Sequence, residues 1–251
     1  MRLGALAAVV LVLLAGCGGD DSRAPSETPS ETIELKVYGI KNGQLWPVRR
    51  VVPFTESVER AALDALLESP TDQEFEEFGL RNYAVPSDGD LQGLEIEGEL
   101  ARVESTADLR EDGVGQIVFT LTQFPAITSV EVATPERTRT YRRADFEQFT
   151  PPILVEDPLA YEEVTSPLRV TGTANTFEAT FAYNLTDTDG RIVDENFVTA
   201  TSGTGTRGTF EFTTKPFEVP FDGFGALIVF ENSAKDGSRT NLVEIPLRMS
   251  D

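Results

Sequence analysis

The sequence predicts an α+β domain, two helices on a small and mostly antiparallel sheet, followed by an all-β sandwich. Three observations predict it. Up to about residue 147, stretches that alternate apolar and polar residues are interrupted by two segments with helical spacing. From Pro151 onward Thr, Val, Phe and Gly dominate and no long window carries a helical period. Turn signals there recur about every ten residues, as in a sheet sandwich.

The first domain is expected over residues 33–147. Ile33, Leu35 and Val37 alternate with Glu34, Lys36 and Tyr38, and Asn42-Gly43 then supplies a tight hairpin turn. The returning segment, Leu45 to Val52, contains Pro47 and ends at Pro53, which places it at a sheet edge. Thr55 is a fitting helix N-cap. Val58, Ala62, Ala65 and Leu66 follow at helical spacing, and Ser69-Pro70 ends the helix. A second helix is predicted from Asp112 to Phe124, with Val114, Ile117, Val118 and Leu121 on one stripe and Pro125 as its stop. Leu94 and Ile96, then Ala101 and Val103, read as a hairpin around Gly98. Strands at Thr128 to Thr134 and Arg137 to Arg142 complete the domain.

The second domain is expected over residues 148–251. Its candidate strands are 153–155, 168–174, 180–185, 191–199, 208–213, 225–231 and 241–247. Seven short strands over such a length suggest a sandwich of immunoglobulin type. There is no cysteine for an inter-sheet disulfide, so the core must rest on residues such as Phe177, Phe181, Phe197, Phe210, Phe212 and Phe230.

Composition narrows function. The chain has 21 basic and 42 acidic residues, a formal charge of −21, one cysteine and no histidine. A field of that sign repels nucleic acid, so no nucleic-acid partner is expected. Histidine-dependent triads, cysteine nucleophiles downstream of Cys17, zinc sites built on imidazole or thiolate, and disulfides are all excluded. The chain is expected not to be an enzyme and to need no cofactor. A calcium- or glycan-binding surface module is the first alternative, and a wall-active hydrolase built on two carboxylates is the catalytic one, although no segment resembles a hydrolase motif.

At the N-terminus, Arg2 precedes a twelve-residue apolar run from Leu3 to Leu14. A transmembrane helix needs roughly 20 such residues, so the run reads as an export signal, residues 1–16. Leu14, Ala15 and Gly16 lead to Cys17, and this start resembles a bacterial lipobox. In lipoproteins of that kind the thiol carries a diacylglyceryl group and the chain is cut before it, which implies anchoring to the outer leaflet of the cell membrane. The alternative is a free cysteine behind an ordinary secretory signal. Residues 17–32, rich in Gly, Pro, Ser and acid, read as a disordered tether.

Ile117 to Val132, preceded by the Thr55 to Pro70 helix, resembles the GerMN domain, the sporulation and spore germination domain of bacterial lipoproteins. This copy is short between Val103 and Val114. Pro151 to Val155, Ser166 to Ala174, Gly205 to Phe210 and Val229 to Ser238 resemble the immunoglobulin-like domain of bacterial spore germination. The resemblance implies a non-catalytic cell-envelope lipoprotein with a role in assembly, its partner an envelope protein or a cell-wall polymer.

Several residues carry sharper readings. Asp187 and Asp189 before Gly190 open like a calcium loop, but the twelfth position is Val198 rather than glutamate, and an Asp-Gly turn is the favoured reading. Glu231, Asn232 and Lys235 sit at an expected hairpin tip, with a binding role or turn chemistry alone. Arg207, between glycines, can grip a carboxylate or phosphate with two donors, or pair with a surplus acid of the chain itself. Arg137, Arg139, Arg142 and Arg143 form the densest basic patch, a partner contact or a solvated strand.

Overall fold

In the computed structural model the described residues are 31–250, apart from positions 77 and 87. The export signal, Leu14, Ala15, Gly16, Cys17 and the tether up to residue 30 lie outside them.

β1 (Thr32–Lys41) and β2 (Gln44–Pro53) pair antiparallel in full register around Asn42 and Gly43, with φ of 52° and 78°. Two successive positive φ values make the tight mirror-image turn that suits a twisted hairpin, and Asn-Gly tolerates it best. This hairpin is a sheet of its own, and a helix occupies the place of a third strand. α3 (Glu111–Leu121) lies against β1 with almost every residue buried. Polar side chains on it and just after it bind the free edge of β1. Gln123 Oε1 accepts from the Lys36 amide at 3.3 Å, and its Nε2 donates to the Lys36 carbonyl at 2.5 Å. Thr120 Oγ1 accepts from the Tyr38 amide at 3.1 Å, and Gln116 Nε2 donates to the Tyr38 carbonyl at 2.8 Å. Ile40 and Arg81 then exchange backbone hydrogen bonds at 2.8 Å. An edge that would otherwise recruit another strand is thereby closed.

α1 (Val58–Leu67) buries Ala62, Leu63, Ala65 and Leu66. Its N-cap is Ser57 rather than Thr55, whose hydroxyl instead accepts from the Ser57 amide at 3.1 Å. A short α2 (Asp72–Glu76), absent from the sequence expectation, begins at a reciprocal cap: the Thr71 amide donates to Glu74 at 2.9 Å and the Glu74 amide to Thr71 Oγ1 at 3.2 Å. The spacing Thr-x-x-Glu is a known helix-start signal. β3 (Leu91–Glu97), β4 (Leu100–Ser105), β5 (Ser129–Ala133) and β6 (Thr138–Tyr141) form a second sheet in that order. Only β4 and β5 run parallel, joined across α3. α3 stops at Leu121, short of Phe124: Thr122 makes the last helical bond to the Val118 carbonyl, and Gln123 beyond it reaches the Lys36 backbone of β1.

A 3₁₀ segment, Arg143–Phe149, leads into the sandwich. One sheet orders β11 (Ile192–Thr199), β10 (Thr180–Thr186), β13 (Gly223–Asn232), β14 (Arg239–Met249) and β8 (Glu163–Val164). The other orders β12 (Gly208–Thr213), β9 (Arg169–Ala174) and β7 (Ile153–Asp157). Phe181 and Phe210 meet in its core with ring centroids 4.8 Å apart, and Tyr183 stacks on Phe212 at 4.4 Å. Phe177 and Phe197 do not join them, being 62% and 67% exposed. Phe197 pairs opposite Ala182 and therefore shares the outer face, whereas Val198 lies opposite the buried Phe181. Thr32–Asp251 is a single compact unit. Among the described residues no helix is long and apolar enough to cross a membrane.

Candidate functional site

The two halves are joined through their cores. β7 alternates between them: Ile153 and Val155 face the sandwich, while Leu154 is buried in the core around α3. Trp46 of β2 packs in the opposite sense, against the sandwich core.

Polar groups reinforce this junction at two places. Arg143, one of the basic patch, turns inward. Its Nη1 donates to Glu156 of β7 at 2.8 Å, its Nε to Thr122 Oγ1 at 2.8 Å and its Nη2 to the Phe119 carbonyl at 3.2 Å. The Tyr38 hydroxyl also donates to Glu156, and Lys36 Nζ donates to the Glu156 carbonyl at 2.9 Å. Desolvation pushes the Glu156 carboxyl up, but the charges of Arg143 and Lys36 and the hydrogen bonds from Tyr38 and Arg143 outweigh it and hold it below the ordinary carboxylate value. For Tyr38, desolvation and the Glu156 charge act together and raise the phenol well above its ordinary value.

The second place absorbs Arg207. Its Nε and Nη2 grip both oxygens of Glu147 at 2.9 and 3.0 Å, while Nη2 also reaches the Pro151 carbonyl at 2.9 Å and Nη1 the Thr173 carbonyl at 3.3 Å. The planar fork that suggested a ligand site is thus filled from within the chain. Burial raises the Glu147 carboxyl, and the bonds from Arg207 and Asn175 more than reverse that.

The other singled-out residues lie apart from the junction. Asp187 Oδ1 accepts the amides of Asp189 and Arg191 at 3.0 and 2.8 Å, and Asp189 pairs with Arg191 at 3.1 Å. This is a self-satisfied turn, and among the described residues no cluster of three or more potential metal-ligating side chains occurs. Glu231 accepts from the Phe177 amide at 2.9 Å and from Asn241, which fixes the base of the β13–β14 hairpin. Asn232 and Lys235 are exposed on it. Arg137 and Arg142 are exposed, and Arg139 lies over the Tyr141 ring at 4.8 Å.

Where the halves diverge, they leave a cleft of about 440 Å³, within the usual range for small-ligand pockets. One wall comes from the β1–β2 hairpin and α2, the other from the β7–β8 loop, β13 and β14. Phe78, Tyr161 and Phe224 form a continuous aromatic row, with successive ring centroids 5.2 and 6.0 Å apart. Tyr161 holds a left-handed backbone (φ 64°), costly for an aromatic residue, and its amide is bound to the Pro246 carbonyl at 2.7 Å. Lys41 Nζ sits 4.2 Å from the centre of the Trp46 ring, and the Arg248 guanidinium 5.6 Å from that of Phe224. The cleft residue Glu74 is neutralised by Arg50, which binds both its oxygens at 2.7 and 3.1 Å. Sequence reasoning missed this site. Its residues are spread from Lys41 to Arg248, and only the clustering of aromatic and basic residues near Trp46 hints at it.

Comparison with known proteins bears on both halves. Residues 7–134 match the family described as sporulation and spore germination, and residues 152–238 match the immunoglobulin-like domain of bacterial spore germination. No curated protein matches. Among solved structures, the tandem GerMN domains of the sporulation protein GerM from Bacillus subtilis align at 16% identity and a TM-score of 0.39, over 74% of this chain and 62% of that one. The first GerMN domain of the same protein aligns at 20% identity and a TM-score of 0.32, over 43% of this chain and 86% of that one. The chain therefore spans less than two thirds of the tandem-domain structure.

Proposed function

The chain belongs to the sporulation and spore germination family, with an immunoglobulin-like domain of bacterial spore germination behind it, and from that premise we propose that it is a non-catalytic binding protein of the cell envelope. In this reading it is exported, lipidated on Cys17 and held at the outer leaflet, and residues 17–32 carry the folded body away from the membrane. Its partner is an envelope protein or a cell-wall polymer.

The observation that carries the reading is the cleft between the two halves. Its aromatic row draws on both walls, and its residue Glu74 is bound by Arg50. The junction acids Glu156 and Glu147, which are not part of the cleft lining, are likewise bound by arginines. Such a surface is suited to holding a ligand rather than to moving protons.

Labelling cells with radioactive palmitate tests the anchor: the wild-type chain should take up label and Cys17→Ala should not. An unlabelled wild-type chain would overturn the anchoring. Incubation of the full chain with purified peptidoglycan should release no fragments, and release of soluble glycan would overturn the non-catalytic reading. Crosslinking in intact cells should capture an envelope component.

A further inference from the structure

The cleft narrows the ligand class further, on the premise that the protein binds an envelope component. In a chain of net charge −21, Lys41 and Arg248 stand on its two walls, and among the described residues neither makes an ion pair. Burial lowers the Lys41 amine below its ordinary value, partly countered by Glu244, so a ligand anion there would relieve an incompletely compensated cation. Two such cations favour an anionic ligand.

Peptide recognition by strand addition needs a free strand edge. At the cleft that edge is occupied: the Pro246 carbonyl accepts from the Tyr161 amide at 2.7 Å, and the Arg248 amide donates to the Glu162 carbonyl at 2.9 Å. On the facing wall Pro47 has no amide hydrogen to offer. What remains is flat aromatic surface from Trp46, Tyr161 and Phe224 with a separate cation on each wall. That combination fits ring-shaped units carrying single charges.

We propose that the cleft binds a carboxylate-bearing saccharide, its rings lying against Trp46, Tyr161 and Phe224 and its carboxylate met by Lys41 and Arg248. The volume of about 440 Å³ suits a disaccharide. Trp46 is the only tryptophan in the chain, so the emission comes from one residue, which lines the cleft and packs against the sandwich core.

The test uses the full chain in detergent, titrated with N-acetylglucosaminyl-N-acetylmuramic acid. A saturable change in Trp46 emission is expected. Di-N-acetylchitobiose, which offers two similar rings without the lactyl carboxylate, should bind about a hundredfold more weakly, the loss of the charge-assisted contacts to both cations. Lys41→Gln and Arg248→Gln should each weaken the acidic sugar by about tenfold, the loss of one such contact, and leave the melting temperature unchanged. If either variant melts early, Phe224→Ala, altered at an exposed ring, should weaken both sugars alike, and unchanged affinity for both would overturn the proposal. No saturable response, equal response to both sugars, or equal competition by tetraglutamate would overturn the proposal, the last in favour of an acidic peptide. Palmitate labelling is read at Cys17, so a failed titration with labelling intact refutes the ligand class and leaves the anchoring reading standing.

Discussion

Glu156→Ala should destabilise the protein more than any other single carboxylate removal at the junction. The substitution leaves two donors facing a void: Arg143 Nη1, bound at 2.8 Å, and the Tyr38 hydroxyl. The side chains of Arg143 and Glu156 are 27% and 14% exposed, so water reaches the pair only in part. Breaking a buried pair from one side costs about 3–5 kcal/mol, and the partial exposure argues for the lower end, about 3 kcal/mol. For a unit of this size that is a melting shift of roughly 6–12 °C. Urea unfolding of the wild type, Glu156→Ala, Arg143→Met and the double variant closes a cycle, and a coupling near 2 kcal/mol is expected. The sign with pH follows from the depressed carboxyl. Its stabilisation is complete above the unfolded value, roughly 4.3, and is lost as pH falls through the lower folded value. Glu156→Gln should therefore flatten the acid limb of the stability curve. A single-variant loss under about 0.5 kcal/mol, or strict additivity in the cycle, would refute the reasoning.

Gln116→Leu keeps the volume of a fully buried side chain but strands the Tyr83 amide, bound at 2.7 Å, and the Tyr38 carbonyl, bound at 2.8 Å; chemical denaturation should show a loss of about 3 kcal/mol. Gly113→Ala would place a methyl group 2.0 Å from the Tyr83 carbonyl oxygen, so α3 or the Tyr83 segment must shift, and a melting drop of several degrees is expected. Phe197→Ser alters an exposed ring on the edge strand β11 and should leave the unfolding free energy within about 0.5 kcal/mol of wild type.

The strands of the sandwich are legible in the sequence because each is short, alternating and bounded by turn residues. Which face is inward is less legible. β11 turns Asp194 inside, where Tyr183 donates to it at 2.5 Å and the Lys215 amide at 3.0 Å, and turns Phe197 out. An aromatic placed out and an acid placed in invert the hydrophobic rule, and only the pairing register reveals it. α3 shows a similar limit. Val114, Ile117, Val118 and Leu121 mark its apolar stripe correctly, yet Gln116 and Thr120 off that stripe, with Gln123 just past the helix, form a polar ladder for β1. Periodicity measures polarity and cannot distinguish water from an unpaired strand edge. The cleft was illegible for a different reason: its walls come from segments about 200 residues apart, and no local pattern encodes their meeting.

That meeting depends on the junction, which yields a test linking the two. Domains within a chain move relative to one another unless their interface is large and apolar. Here Leu154 and Trp46 each enter the neighbouring core, and Glu156 with Arg143 and Glu147 with Arg207 clamp the polar margin. A cleft between walls so fixed is preorganised, and a ligand entering it spares the cost of ordering them. Arg207→Ala removes one clamp without touching any cleft residue. If the clamp sets the width of the cleft, the variant should bind the acidic disaccharide about threefold to tenfold more weakly at a temperature where it remains fully folded. Trp46 emission should change in the absence of ligand as well. Unchanged affinity in a variant whose melting temperature has fallen would show that the clamp serves stability alone and that Leu154 and Trp46 suffice to hold the walls.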